Sequence, residues 1–229
     1  MKIPITTDVQ RLAVESFRSF LASEVAPVAR LFEGRSLPAL KLRELTQGIA
    51  EFGLPGASIA QALGGMGLSA ETEALLFEEL GAVSSVIAEC VLGNLLVASA
   101  LAHLPPGRDA LRKRYLPGLL AGRGFGGFCV EQAQGISACP TDDGWVINGN
   151  HQWICNGRFA DVLITPLPTD DGACCYVVME REQHGYVSGS DAAFPPRMTL
   201  SNVRLSADLS DAQKRSVAHV LAGISAQRR

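Results

Sequence analysis

The sequence predicts an α+β chain: an α-helical N-terminal domain followed by an antiparallel, barrel-like β domain. Three observations carry this. Apolar residues recur at helical spacing from about residue 7 to 121. At Gly122 the pattern changes to short apolar runs separated by polar turn clusters, with no βαβ alternation. Finally, 47% of the 229 residues are apolar and only 19% charged, enough core material to offset the entropy of ordering the chain.

Asp8 can cap a first helix carrying Val9, Leu12, Phe17, Phe20 and Leu21, with Pro27 expected to stop it. Ser36 precedes a second, through Leu37, Leu40, Leu42, Leu45 and Ile49, closing near Gly53. A glycine-rich loop, Pro55 to Leu68, leads to Ser69 as the cap of a third helix containing Leu75, Leu76 and Leu80. A fourth, from about Ser84 to Leu104, is apolar nearly all round, which marks a central buried helix. Pro105-Pro106-Gly107 breaks it, and a fifth runs through Leu111, Tyr115, Leu116 and Leu119.

The β domain is expected over residues 122–210. Phe125 to Val130 reads as a strand, and Asp142-Asp143-Gly144 as a turn. Asn148-Gly149 predicts a tight hairpin between Trp145-Val146-Ile147 and a return through His151, Trp153 and Ile154. Further strands are expected at Asp161–Pro166, Ala173–Met179 and Arg197–Leu205. Residues 211–229 resume a helical pattern through Val217, Leu221 and Ile224, and are expected to form one terminal helix.

Composition excludes some functions. Lys+Arg 20 against Asp+Glu 23 gives a net charge of −3, with no basic block to bind nucleic acid. The longest apolar stretch, Val83 to Leu104, is broken by Glu89, Gly93 and Asn94, so no membrane span is expected. The N-terminus is polar by its eighth residue and reads as no secretory signal, so a cytoplasmic location is expected. The six cysteines show no metal-ligand spacing and read as free thiols. Gly122 to Gly127 satisfies GxGxxG, but a helix precedes it and a strand follows, the reverse of a dinucleotide fold.

The order of motifs resembles one family. Ala62-Leu-Gly-Gly-Met-Gly-Leu-Ser69 followed by Phe77-Glu-Glu-Leu80, then Arg114-Tyr-Leu-Pro117 with Leu120-Ala-Gly122, are similar to passages of the acyl-CoA dehydrogenases. So are Phe128-Cys-Val130, Val146-Ile-Asn-Gly149, Gln152-Trp-Ile-Cys-Asn-Gly157 with Ala160-Asp161, and Leu200 to Leu205. The resemblance implies an FAD-dependent oxidoreductase acting between the α and β carbons of an acyl-CoA or acyl-carrier thioester. It places Phe128, Val130, Trp153, Ile154 and Cys155 beside the flavin, with Cys155 where the family has a threonine whose hydroxyl bonds the ring. Ser137 falls at the serine of the family's "TEP-x-x-GS" loop and is assigned to the substrate side.

There are departures. Glu131-Gln132-Ala133 stands where the family has "TEP", putting a carboxylate near a ring that gains negative charge on reduction. A thiol replaces a hydroxyl at Cys155, a weaker donor. The family's third domain, a helical bundle that brings the catalytic glutamate and much of the grip on FAD, is expected to be missing apart from its first helix. No catalytic residue is therefore assigned. Two readings stay open: a flavoprotein component completed by a second subunit or another copy of itself, and a non-catalytic acyl-thioester binding or assembly module. The residues also carry plainer readings: Trp153 as packing, Cys155 as a small buried hydrophobe, Glu78-Glu79 as a solvated helix face, His151 as an exposed strand residue.

Overall fold

The computed structural model describes residues 7–104, 109–129, 136–142, 144–152, 154–168, 174–181, 186–188 and 197–206. The first half is helical: α1 (Asp8–Phe20), α2 (Ala26–Leu31), α3 (Ala39–Ala50), α4 (Ala70–Val83), α5 (Ser85–Ala102) and α6 (Asp109–Leu120). The helix caps differ from expectation. Thr7, not Asp8, caps α1 through a reciprocal pair with Gln10: the Gln10 N–H donates to Thr7 Oγ1 at 3.1 Å, and the Thr7 N–H to Gln10 Oε1 at 3.2 Å. Pro27 does not stop the helix, because a π-helical turn, Leu21–Val25, carries the chain into α2 and leaves Pro27 in its first turn. The second helix starts behind Pro38 rather than Ser36. Ser69 and Ser84 cap α4 and α5 with their hydroxyls.

The apolar face of α1 buries Val14 and Phe17 completely, against Leu42, Leu45 and Ile49 of α3 and Leu76 and Leu80 of α4. Each such side chain contributes roughly 1.5–3 kcal/mol of transfer free energy. Glu79 is no solvated residue: Arg18 Nη2 and Nε each donate to its carboxylate at 2.6 Å, clamping α1 to α4.

By length and composition α5 is apolar enough to cross a membrane, yet half of it is buried in the fold. Its residues Cys90, Gly93, Asn94 and Val97, at helical spacing, form the seam that lies on the first strand. That makes it the central helix of the molecule.

The second half forms two four-stranded sheets. Sheet A has the order β4 (Ile154–Cys155), β1 (Gly126–Cys129), β5 (Val162–Pro168), β6 (Cys174–Glu180). Sheet B has the order β2 (Ser137–Thr141), β3 (Gly144–Gln152), β8 (Arg197–Ser206), β7 (Tyr186–Ser188). They face each other and do not close into a barrel. The domain is not wholly antiparallel either, since β1 and β5 run parallel. Alternation along sheet A divides its side chains between two cores. Phe128, Val162, Ile164 and Val178 face α5 and α6, while Cys129, Leu163, Val177 and Met179 pack between the sheets with Ile147 and Val203. Burial on both faces is why these strands read as continuous apolar runs.

Asn148-Gly149 makes no hairpin. The strand β3 runs straight through it, and the irregularity is a bulge in its neighbour β8, where Ser201 and Asn202 together face Asn148. Asn202 adopts φ 53°, and its N–H donates to Asn148 Oδ1 at 2.7 Å. Strands β2 and β7 were not expected. The terminal helix expected over 211–229 lies outside the described residues, as does the Pro105-Pro106-Gly107 break.

Gly122 marks the turn between halves, with φ 65° and its carbonyl accepting from Thr46 Oγ1 at 2.9 Å. A Cβ there would collide with the Thr46 carbonyl, whereas at Gly34, φ 70°, it would meet nothing within 4 Å. Gly122→Ala should therefore cost about 2–4 kcal/mol of stability in urea denaturation, and Gly34→Ala about 1 kcal/mol. Equal losses would mean that backbone conformation, not the close approach, governs both.

Candidate functional site

Strands β1 and β4 bring three of the expected site residues together. Phe128 lies opposite Cys155, and Cys129 opposite Ile154, in an antiparallel pair at the edge of sheet A. The three differ in what surrounds them. Phe128 belongs to the core under α5 and α6, and Ile154 to the core between the sheets. Cys155 faces α5, where a Cβ placed on Gly93 would come within 3.2 Å of its own Cβ. Ser137 is elsewhere: exposed at the start of β2 in sheet B, opposite Asn148, donating its hydroxyl to the Asn148 carbonyl at 3.4 Å. Val130, Trp153 and the Glu131-Gln132-Ala133 stretch lie outside the described residues, as do the side chains of His151, Cys174 and Cys175.

The thiols at this junction are chemically quiet. Burial pushes Cys90 and Cys129 up to about 12, and Cys155 up to about 11, with the Glu89 carboxylate adding to the rise at Cys155 and Cys90. All three are neutral S–H groups at physiological pH, and none is a nucleophile. Burial also raises Glu89 itself. Among the described residues no cluster of His, Cys, Asp and Glu could hold a metal ion.

Two amides that the sequence reading did not select organise the junction. Asn94 is 1% exposed although it sits mid-helix. Its Oδ1 accepts from the Gly126 N–H at 2.7 Å, and its Nδ2 donates to the Gly124 carbonyl at 3.2 Å. From the strand side, Asn156 Nδ2 faces the Cys90 carbonyl at 2.7 Å, the Gly126 carbonyl at 3.0 Å and Asn94 Oδ1 at 3.3 Å. Asn156 holds φ 57°, a left-handed conformation that asparagine tolerates better than most residues. Asp161 completes the joint: its Oδ2 accepts from the Phe125 N–H at 2.9 Å. The available signals were an asparagine inside an apolar helix and an Asn-Gly pair after a strand.

At this junction Cys155 is an uncharged S–H group, and the Phe128 and Ile154 side chains are committed to the two cores.

The N-terminal domain model of the acyl-CoA dehydrogenases matches residues 7–123, just over half of the chain. The very long-chain specific acyl-CoA dehydrogenase of rat mitochondria (Rattus norvegicus) is 33% identical over 177 residues, covering 69% of this chain and 27% of its own length. Glutaryl-CoA dehydrogenase of Desulfococcus multivorans is 26% identical over 226 residues, covering 90% of this chain and 57% of its own. In fold, the chain is similar to the crystal structure of a glutaryl-CoA dehydrogenase from Mycobacterium smegmatis in complex with FADH2, at a TM-score of 0.79 and 24% identity, covering 92% of this chain and 56% of that one. The chain belongs to the acyl-CoA dehydrogenase family. It spans from about a quarter to three-fifths of the length of these relatives.

The thiol environments predict a labelling order. Iodoacetamide near pH 8 should modify exposed Cys139 while Cys90, Cys129 and Cys155 stay unmodified in the folded chain, as peptide mass spectrometry would read. Because these three raised values lie above the ordinary thiol value of 9.0, their stabilisation is complete below pH 9 and lost as pH climbs toward 12. Early labelling of Cys155 would place it on an open surface instead.

Proposed function

We propose that these residues form the helical and β portions, 1–121 and 122–210, of an FAD-dependent protein acting on the CH–CH bond of an acyl thioester. Residues 211–229 belong on this reading to a further helix. The observation that supports it most directly is the β1–β4 pairing, which sets Phe128 across from Cys155 beneath α5 in a chain of this family. The main chain of Phe128–Val130 would run beside the flavin, with Trp153 and Cys155 against the ring, Ile154 anchoring the strand, and Ser137 on the substrate side. When bound, the flavin supplies the hydride acceptor for α,β-dehydrogenation. The chain's own contribution is to orient it, to donate the Cys155 S–H toward it, and to keep water from the face covered by α5.

By the family resemblance, the carboxylate that removes the α proton comes from a region other than these 229 residues. A base acts only within hydrogen-bond reach of the proton it takes. These residues alone are thus proposed to bind without turnover, the base coming from a second copy, another subunit or further sequence. Exposed Val86 and Leu92 on α5, 64% and 39% accessible, are consistent with a covered surface there. The second reading, a non-catalytic acyl-thioester binding or assembly module, draws its support from Glu131-Gln132-Ala133 standing where the family has "TEP" and Cys155 where it has a threonine.

Purified protein titrated with FAD should show flavin absorbance and fluorescence changes at saturation, with no reduction of an artificial acceptor on adding acyl-CoA. Cys155→Thr, restoring the stronger donor, should tighten FAD several-fold. Absence of any flavin binding, together with binding of acyl thioester, would favour the module reading.

A further inference from the structure

We propose that Asn156 is a positioning residue, bolting the flavin-facing strand β4 to the central helix α5 through Asn94. The claim rests on the flavin reading above, and it reaches beyond it to residues that touch neither flavin nor thioester. A two-residue edge strand such as β4 has little ladder of its own to fix it: only Phe128–Cys155 and Cys129–Ile154 pair across to β1. What fixes its end is the amide that immediately follows. Asn156 Nδ2 meets three acceptors from two elements at once: the Cys90 carbonyl and Asn94 Oδ1 on α5, and the Gly126 carbonyl on β1. Asn94 closes the circuit by accepting from the Gly126 N–H and donating to the Gly124 carbonyl.

The approach is close enough that only glycine fits at the contact. A Cβ on Gly93 would come 2.7 Å from Asn156 Nδ2 and 2.8 Å from the Gly126 carbonyl oxygen, and a Cβ on Gly126 would lie 2.7 Å from Val97 Cβ. The helix therefore sits on backbone, and the amides set the angle and register at which it does so. Cys155 precedes Asn156 directly, so a shift at the joint moves the thiol and the strand carrying it. Displacements of that order at a binding constellation change affinity by an order of magnitude or more.

The clean probe is Asn156→Gly, which removes the amide while keeping a residue that accepts φ 57°. FAD affinity should fall roughly tenfold, equivalent to about 1.4 kcal/mol, and the bound flavin's absorbance bands should shift. Asn94→Ala should do the same, and the double variant should be no worse than either single one, because both break one network. Asn156→Asp, which sets a carboxylate against three acceptor oxygens, should lose more than Asn156→Gly. Val14→Ala, in the helical core, serves as the control: it should lower the melting temperature while leaving flavin affinity and spectrum as in the parent. Parent-like affinity and spectrum in Asn156→Gly, or strictly additive losses in the double variant, would overturn the proposal. A parent protein that binds no FAD would defeat the flavin reading instead. Hydrogen exchange then decides the joint on its own: Asn156→Gly must speed exchange of the Gly126 and Cys155 amides well beyond what Val14→Ala does, and equal rates overturn it.

Discussion

The structure depends on one close approach, the seating of α5 on the backbone of β1. Two glycines, Gly93 and Gly126, make it sterically possible, and the Asn94 amide makes it electrically tolerable by satisfying the Gly126 N–H and Gly124 carbonyl. Backbone groups buried without partners each cost about 1–3 kcal/mol. Once this seam is set, much else follows by alternation. Every second residue of sheet A faces the helices and joins Val97, Leu101, Leu116 and Leu119; the others face sheet B. A single sheet is thus the floor of one core and the roof of another. At its far end Glu180 takes the Tyr115 hydroxyl at 2.6 Å and Arg114 Nη1 at 2.9 Å, tying α6 to β6.

The same seam sets the chemistry of the candidate site. Closeness excludes water, and exclusion of water keeps the Cys90 and Cys155 thiols protonated. A charged nucleophile at Cys155 is incompatible with this packing, while a neutral donor is compatible. Cys155 therefore brings no reactive group to this junction, and on the proposed reading it would act toward a flavin only as a weak neutral donor.

The helices were legible because each carries its own period: an 18-residue stretch apolar nearly all round marks a central helix, and Ser69 and Ser84 announce their starts. What misled was local chemistry read without its neighbours. Pro27 tolerates the π-turn ahead of it, since its missing N–H falls in a first turn where none is needed. Asn148-Gly149 carries a hairpin signature, but its partner β8 lies some fifty residues on in sequence, and the bulge at Asn202 absorbs the irregularity. The parallel β1–β5 pair was invisible because parallel neighbours leave no turn between them in sequence. The family motifs pick out Phe128, Ile154 and Cys155, which the structure brings onto the paired strands β1 and β4. Asn94 and Asn156 were not legible, because a single buried amide has no period and its meaning lies in partners 30 to 66 residues away.

That the joint is built from amides rather than charges or hydrocarbons follows from what it must satisfy. It faces two carbonyls and an N–H of the β1 segment together with one carbonyl of α5. Apolar side chains would fill the space and remove the partners that Asn94 gives the Gly126 N–H and the Gly124 carbonyl, at a cost of about 1–3 kcal/mol for each buried group left unsatisfied. A carboxylate could accept from Gly126 but could donate nothing to the carbonyls, and a lysine or arginine would bring a buried charge and could accept nothing from the Gly126 N–H. An amide carries both functions without charge and, unlike a hydroxyl with its single hydrogen, offers two donor hydrogens beside a separate acceptor oxygen; two of them, each anchored on a different element, also answer each other at 3.3 Å. Directional bonds of this kind fix one register where hydrophobic contact alone would allow sliding, and a two-residue strand such as β4 has little ladder of its own to do so.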